Sequence, residues 1–349
     1  MKEKMMNEFR TADLEPALEW LRQQGHRLIF SPSSCWYDAA PGAFQAFPYH
    51  KTITPTEKEL RQIFREGRVV ALRYSAPIAA SCGKISYHVV CSDSHYGLDQ
   101  VSRQTRQNIR KGINYAAIEP ITFSRLAREG WALRAETLAR QGRLTSENEA
   151  WWKKLCLSAE RLPGFEAWGA LHKGILVASL IVYLAGDCYL MLYQQSLTSH
   201  LKFGINNALG FVFTQKALAK PGIRRLFYGF QSLDAPDKVD EFKFRMGYKA
   251  VPVRQRVLFH PALNPVVRPV TLATLKYIGG KILRSPKWLK VAGMMHFCLE
   301  GSRPLSQQDW PECLLEKRRE WFGSQHERGL VLPGTLASAQ YKITKDMKK

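Results

Sequence analysis

Lys243 is the residue of this sequence whose surroundings most favour catalytic chemistry. It lies in a short predicted helix, residues 239–246, that stops at Gly247. An ammonium group there could neutralise an oxyanion or a phosphate, although it could equally be a solvated helix lysine. An acidic run precedes it, and Asp237 in that run could act as a general base or only cap the helix.

A second set of residues could bind an anion. Arg106, Arg110 and Lys111 crowd a short predicted helix, where they form either an anion clamp or a solvated basic face. Farther along, Gly204 precedes a helix predicted at residues 205–219, whose first amides could contact a phosphate. Gly204 could also do no more than begin that helix. The nine histidines show no metal-binding spacing, so we expect no metal site.

The middle of the chain must position these groups. From residue 116 to residue 259 the hydrophobic pattern predicts the element order β–α–α–β–β–β–α–β–α–β. The predicted strands span residues 116–123, 165–171, 175–184, 188–195, 225–230 and 249–259. Three of them follow one another with hairpin turns between them, which is typical of an antiparallel meander. This order predicts an α+β fold with a mixed, mostly antiparallel sheet flanked by helices.

The two flanks of this region are predicted to be separate units. Residues 1–103 combine helical and strand-like patterns and predict a smaller α+β domain. Within it, residues 31–50 are rich in Pro, Gly, Ser and aromatic residues and are predicted to be a loop. Residues 104–263 form the predicted core, and residues 264–349 form a basic helical extension.

The element order from residue 116 to residue 259 resembles the GNAT acetyltransferase fold, over somewhat less than half of the chain. Three segments resemble the Fem-type aminoacyltransferases of that superfamily: LARQGR followed by WWKKLC, QTRQNIRKGINYAAI, and VDEFKFRMGYKAVPV. They are similar, in turn, to the paired helices that wall the acceptor site, to the Arg-rich helix that leads into the second domain, and to the closing lysine-containing element. The resemblance also allows residues 1–103 to be a reduced second GNAT half.

The resemblance implies where a reaction would take place. In GNAT proteins two neighbouring strands splay apart, here residues 188–195 and 225–230, and the donor's arm fills the gap. A backbone N–H of the first splayed strand then stabilises the developing oxyanion. Catalytic roles are expected for Lys243, Tyr193 and Asp237, and donor contacts for Gln195, Gly204, Ile205, Asn206, Asn207 and Tyr228. Tyr193 and Gln195 could instead be ordinary sheet residues.

Departures from the acetyltransferase pattern bear on the donor. Acetyl-CoA-dependent members carry Q/R-x-x-G-x-G/A before the donor helix, and of the matching positions Leu201, Gly204 and Asn206, only Gly204 fits. This favours a Fem-like donor mode. Lys243 stands at the position where many acetyltransferases have a general-acid tyrosine. Fem-type enzymes carry a lysine at this position. The LFYG at residues 226–229 lacks the aspartate that many relatives carry there.

Composition restricts the partners and the compartment. The 349 residues carry a net charge of +21, which favours polyanionic partners such as nucleic acid, anionic lipid or phosphorylated substrates, or only a solvated basic surface. Seven scattered cysteines without a CxxC pair indicate a reducing compartment. With no signal peptide or spanning segment recognised, we expect a cytoplasmic protein, with membrane association at the inner face left open.

These observations predict an acyl- or aminoacyltransferase that forms an amide on an amine of a cell-envelope or polysaccharide-type acceptor. The donor would be acyl-CoA or aminoacyl-tRNA, and no cofactor would be permanently bound. One alternative is a non-catalytic RNA- or tRNA-binding protein on a degenerate GNAT scaffold, and another is a peripheral membrane protein. The C-terminal helices, residues 271–299, would accordingly either pack on the core or contact anionic lipid.

Overall fold

The computed structural model describes residues 13–66, 68–143, 146–233, 240–279 and 286–327. The strands are β1 Leu28–Phe30, β2 Cys35–Ala40, β3 Ala43–Phe47, β4 Ala71–Ala76, β5 Lys84–Cys91, β6 Ala117–Ile121, β7 Phe165–His172, β8 Ile175–Ala185, β9 Cys188–Ser196, β10 Arg225–Phe230 and β11 Lys249–Phe259. The helices are α1 Glu15–Gln23, α2 Glu57–Glu66, α3 Arg103–Tyr115, α4 Phe123–Arg140, α5 Glu149–Ala159, α6 Ile205–Leu218, α7 Glu241–Arg245, α8 Pro269–Tyr277, α9 Pro286–Gly301 and α10 Leu315–Glu327.

All these strands join in one sheet, in the order β1-β2-β3-β4-β11-β5-β10-β9-β8-β7-β6. Eight of the ten strand pairs are antiparallel, so the predicted mixed, mostly antiparallel sheet is confirmed. β11 lies between β4 and β5 and pairs with both. The predicted N-terminal domain and the predicted core therefore share this sheet, and the boundaries at residues 103 and 263 stay a prediction.

Helices cover both faces of the sheet and bury its apolar side chains. On one face α6 packs between the sheet and α3, with Ile109, Leu209 and Phe213 fully buried. On the other face α1, α4 and α5 enclose a second core around Leu126 and Trp152. Because α6 has protein on both sides, it is apolar around most of its circumference.

Residues 31–50 are not a loop, and that prediction was wrong. They form the β2–β3 hairpin, which turns at Gly42 with a φ of +71°. Trp36 and Phe44 of this hairpin are buried in a core that α2 completes. Turn-forming residues flank two strands of only six and five residues, so the period-two pattern is too short to outweigh the turn signals.

The C-terminal extension is helical through much of the region that the structure describes. α9 packs along β11, and its Ala292, Met295 and Phe297 are buried. Beyond it, Gln308 Oε1 accepts a hydrogen bond from the Ile85 amide at 2.7 Å, which fixes this segment to β5. Among the helices of the described ranges, none has both the length and the hydropathy to cross a membrane.

Candidate functional site

Strands β9 and β10 diverge after three residue pairs. They pair in parallel from Arg225 with Cys188 to Phe227 with Leu190. Beyond that point, in the described part of the chain, β9 continues its ladder with β8 and β10 continues with β5. We call the gap between residues 191–196 of β9 and residues 228–230 of β10 the splay. The divergence lies between the two strands where the resemblance places it.

Both strands carry a bulge at the splay. The β8–β9 register shifts at Leu192, and the β10–β5 register shifts at Tyr228. A bulge bends its strand and increases the local twist, so the two bulges turn the strands apart. Gly229 follows directly with a φ of +152°, a conformation that favours glycine.

Lys243 of α7 lies against the β10 side of the splay. Its Nζ is 2.5 Å from Asp240 Oδ1 and 4.8 Å from the centre of the Tyr228 ring. The Asp240 side chain is 5% exposed and also accepts a hydrogen bond from the Tyr87 hydroxyl at 2.8 Å. The carboxylate and the aromatic face hold the ammonium in place, where it can act on negative charge that develops in the splay.

Two side chains connect the splay to α6. The Tyr228 hydroxyl donates to Gln194 Oε1, and Gln194 Nε2 donates to the Asn206 carbonyl oxygen at 3.2 Å. Burial raises the pKa of Tyr228, so its hydroxyl stays protonated and remains a donor. Contacts therefore run without interruption from Lys243 across the splay to the first turn of α6.

The N-terminus of α6 begins at the buried Gly204 and Ile205, and Asn206 and Asn207 of its first turn are partly exposed. Gly204 adopts a φ of +75° and caps the helix without a side-chain hydrogen bond. Ile205, Asn206 and Asn207 supply the first amides of the helix, which have no intrahelical acceptor. Asn206 Nδ2 donates to Ser196 Oγ at 3.1 Å, while its Oδ1 has no hydrogen-bond partner among the described residues. Free amides and the positive end of the helix dipole favour a phosphate here.

Cations flank this helix end. A Cβ on Gly112 of α3 would lie 2.6 Å from the Gly204 oxygen, so the backbones of α3 and α6 touch at this point. Lys111 Nζ and Lys202 Nζ lie 5.6 Å and 5.2 Å from the centre of the Phe203 ring, immediately before Gly204. Both ammonium groups add positive charge beside the free amides.

The other residues predicted to bind an anion are less closely grouped. Arg106 is half-buried on α3, and its Nε has no hydrogen-bond partner among the described residues. Arg110, one turn later, is exposed. Of the predicted set, the structure brings Lys111 closest to the loop before Gly204. Asp237, predicted as a catalytic base, lies outside the described residues.

Tyr193 and Gln195 point to the face of β9 that is opposite to α6. Tyr193 packs against Trp152, with ring centres 6.3 Å apart, and the Arg134 guanidinium lies 5.1 Å from the centre of its ring. Burial raises the pKa of Tyr193. Gln195 Oε1 accepts a hydrogen bond from Ser179 at 3.4 Å, while its Nε2 has no partner in the described ranges. These two residues belong to the α4–α5 side of the splay.

Sequence reasoning missed four residues of this site: Tyr87, Gln194, Lys202 and Asp240. Asp240 belongs to the acidic run before the helix, and its spacing from Lys243 is the i, i+3 spacing of a helical ion pair. Lys202 lies two residues before Gly204, a proximity that could have identified it. Tyr87 comes from a strand 153 residues away from Asp240, and no local pattern connects the two.

The described ranges contain no cluster of side chains suited to bind a metal ion. No group of three or more His, Cys, Asp or Glu side chains is placed there to hold a metal ion.

Comparisons with known proteins give similarities to solved structures alone. No family model and no curated protein matches the chain. Among solved structures, it is similar to the C-terminal domain of a protein named as a lysylphosphatidylglycerol synthetase from Agrobacterium fabrum, with a TM-score of 0.50 and 11% identity over 76% of this chain and 94% of that one. The crystal structure of FemX has a TM-score of 0.49 and 10% identity, over 72% of this chain and 93% of that one. A tandem GNAT protein from the clavulanic acid biosynthesis pathway has a TM-score of 0.38 and 12% identity, over 65% of this chain and 79% of that one.

Identities this low show a shared fold alone. Together with the strand order and the splay, the likeness gives the chain a GNAT-type α+β fold, and the fold prediction from the sequence is confirmed.

Proposed function

We propose that this chain is an acyl- or aminoacyltransferase that forms an amide bond on an amine acceptor. The observation that supports this most is the splay, which has Lys243 on its β10 side and beside it the N-terminus of α6, where no side chain makes a capping hydrogen bond. A donor lying in the splay would place its phosphates near Gly204 and its carbonyl carbon near residues 191–194 of β9. Catalysis would then consist of positioning and of charge stabilisation.

The proposed reaction passes through a tetrahedral intermediate. The acceptor nitrogen bonds to the donor's carbonyl carbon, and the carbonyl oxygen becomes an oxyanion. Collapse breaks the C–S bond of a thioester or the C–O bond of an ester, and the proton lost by nitrogen ends on the leaving group. Backbone N–H groups of β9 and the Lys243 ammonium would stabilise the oxyanion. Asp237 as the base that accepts the proton is part of the same proposal.

The charge near α6 favours a phosphate-bearing donor. Lys111, Lys202 and the free α6 amides suit the phosphates of acyl-CoA or the end of an aminoacyl-tRNA, and no permanently bound cofactor is invoked. On the opposite face, the half-buried Tyr193 lies beside the Arg134 guanidinium, and an amine acceptor of the cell-envelope or polysaccharide type would approach from that side. A cytoplasmic location would give access to these donors.

Transfer of a labelled acyl or aminoacyl group from each donor to amine acceptors tests the proposal. Lys243→Ala should lower turnover by about a hundredfold, the effect of losing one oxyanion-stabilising group, and weaken donor binding much less. Lys317→Ala is the matched control, because Lys317 also pairs with an acid three residues away, Glu320 at 2.8 Å, but on α10.

One result would contradict the role of Lys243, and another would contradict the proposed activity. The first is equal turnover in the wild type and in Lys243→Ala, which would leave Lys243 as a structural residue. The second is tight binding of charged and uncharged tRNA alike without any transfer. That outcome would favour a nucleic-acid-binding scaffold, to which the net charge of +21 is also suited.

A further inference from the structure

Helix α8 turns an apolar stripe towards solvent. Val270 is 77% exposed and Tyr277 is 58% exposed, and Val266, just before the helix, is 51% exposed. Within the helix, Val270, the exposed Ala273 and Tyr277 follow the spacing i, i+3, i+7, so these three lie along one side of it. The inward side of α8, which includes Leu272 and Leu275, is partly buried. Because α8 is apolar around much of its circumference, packing on one side leaves apolar side chains in solvent on the other.

The first turn of α9 continues this surface. Trp288, Leu289 and Val291 are exposed large apolar residues, and a Cβ on Gly279 at the end of α8 would lie 2.9 Å from Trp288 Cβ. In the described ranges, six of the twelve exposed large apolar side chains lie between residues 266 and 291. We call this set the hairpin face: Val266, Val270, Tyr277, Trp288, Leu289 and Val291. Clustering of this kind marks a contact surface.

The hairpin face is held firmly from behind. The second half of α9 buries Ala292, Met295 and Phe297 against the sheet, and α8 packs on α9. The inward sides of these helices are therefore already occupied by the protein itself. The hairpin face is the outer surface of a docked structure.

The segment that carries the hairpin face is strongly basic. No Asp or Glu occurs between Glu241 and Glu300, whereas that segment contains eleven Lys and Arg residues. Arg268, Lys276, Lys287 and Lys290 are exposed next to the apolar side chains. Two copies of this face in a symmetric dimer would bring like charges together, which disfavours self-association. Apolar side chains bordered by cations suit a surface that is negatively charged outside and apolar just beneath.

We propose that the hairpin face docks the protein on a bilayer that contains anionic lipid. The apolar side chains would enter the boundary between headgroups and acyl chains, and the four cations would lie at the level of the lipid phosphates. This inference does not depend on the proposed transferase activity, since it uses none of the residues of the splay.

Vesicle flotation of the full chain tests the proposal. The chain should bind vesicles of phosphatidylcholine with phosphatidylglycerol and bind vesicles of phosphatidylcholine alone weakly, and added salt should weaken the binding. Each cation near an anionic surface contributes about fivefold, so Lys276→Gln with Lys287→Gln should lower partitioning by about 25-fold. Val270→Ser with Tyr277→Ser should lower it by at least about tenfold through lost apolar burial.

Ile175→Ser is the matched control, because Ile175 is 64% exposed at the β7–β8 turn and should not change partitioning. Circular dichroism should give the same spectrum and melting temperature for all variants. Absence of binding to anionic vesicles at low salt would overturn the proposal, as would equal binding by the hairpin variants and the wild type. A concentration-dependent dimer that the hairpin variants abolish would identify a second copy as the occupant instead.

Discussion

Lowering the pH from neutral to about 5 should destabilise the fold through two buried histidines. His88 Nε2 lies 2.7 Å from Ser75 Oγ, and His50 Nδ1 has no hydrogen-bond partner among the described residues. Both rings lie near Phe227, the last residue of β10 that pairs with β9. Burial is the main cause that lowers the pKa of His88 from 6.5 to about 3 and that of His50 from 6.5 to about 4, and the positive charge of Arg225 adds to both.

The sign of the effect follows from the direction of these shifts. Because both folded-state pKa values lie below the unfolded value, the unfolded chain binds more protons at acid pH. The stability is fully present above pH 6.5 and is lost as the pH falls towards the folded values. A pH of about 5 lies about 1.5 units below the pKa of 6.5 in the unfolded chain. The resulting loss of stability is about 2 kcal/mol for each residue and about 4 kcal/mol for the pair. A domain with a stability of about 5–15 kcal/mol would register that loss clearly.

Urea unfolding at several pH values measures this effect. The free energy of unfolding of the wild type should fall between about pH 6 and 5 by up to about 2.7 kcal/mol, which is two protons at about 1.36 kcal/mol per unit. His50→Gln and His88→Gln should each remove about half of that slope. His95→Gln is the control, because the His95 side chain is 93% exposed. If the double variant His50→Gln/His88→Gln keeps the wild-type slope, the buried histidines are not its cause.

Two substitutions test how the splay and α6 are held. A Cβ on Gly112 would lie 2.6 Å from the Gly204 oxygen, so Gly112→Ala should cost about 1–3 kcal/mol in urea unfolding. Gly323→Ala in α10, with nothing within 4 Å, should be neutral or stabilise by up to about 1 kcal/mol, and equal effects at the two sites would contradict the close approach of α3 and α6. Tyr228→Phe removes the hydrogen bond to Gln194 and should cost about 1–2 kcal/mol and slow transfer. Unchanged stability and turnover in Tyr228→Phe would show that this bond does not set the geometry of the splay.

Local signals in the sequence were enough to locate most elements of the middle third. The predicted strands at 165–171, 175–184 and 188–195 differ from β7, β8 and β9 by one residue at the C-terminal end. Their turns contain Gly174 and Gly186, both at positive φ, and glycine in a turn is a local signal. The helix predicted at 205–219 likewise matches α6 to within one residue.

Strand order was beyond the reach of the same signals. β11 is inserted between β4 and β5, whose residues precede it in the chain by more than 150 positions. Hydrophobic alternation specifies which face of a strand is buried and carries no information about its neighbour. The resemblance to a known fold supplied the splay. The division into domains was inferred from local helical and strand-like patterns, which do not show that the two parts share a sheet.

The bulge at Leu192 changes which side chains of β9 face α6. Simple alternation along β9 would place Tyr193 on the same face as Met191. The extra residue instead puts Met191 and Gln194 on the α6 face and turns Tyr193 towards Trp152. A single bulged residue thus decides which side chain can bond to Tyr228 across the splay.

Contacts between residues distant in the sequence also position the charged part of the site, as Asp240 shows. Read locally, an acid before a short helix is a cap, and α7 does have Asp240 at that position without a capping hydrogen bond. The carboxylate turns to Lys243 and to the Tyr87 hydroxyl instead, because β5 brings Tyr87 beside it. A buried carboxylate needs such partners, since an unpaired charge in the interior is strongly disfavoured. The position of the Lys243 ammonium at the splay therefore depends on Tyr87 of β5, which lies more than 150 residues earlier in the chain. Tyr87→Phe should displace that ammonium although it changes no residue of α7.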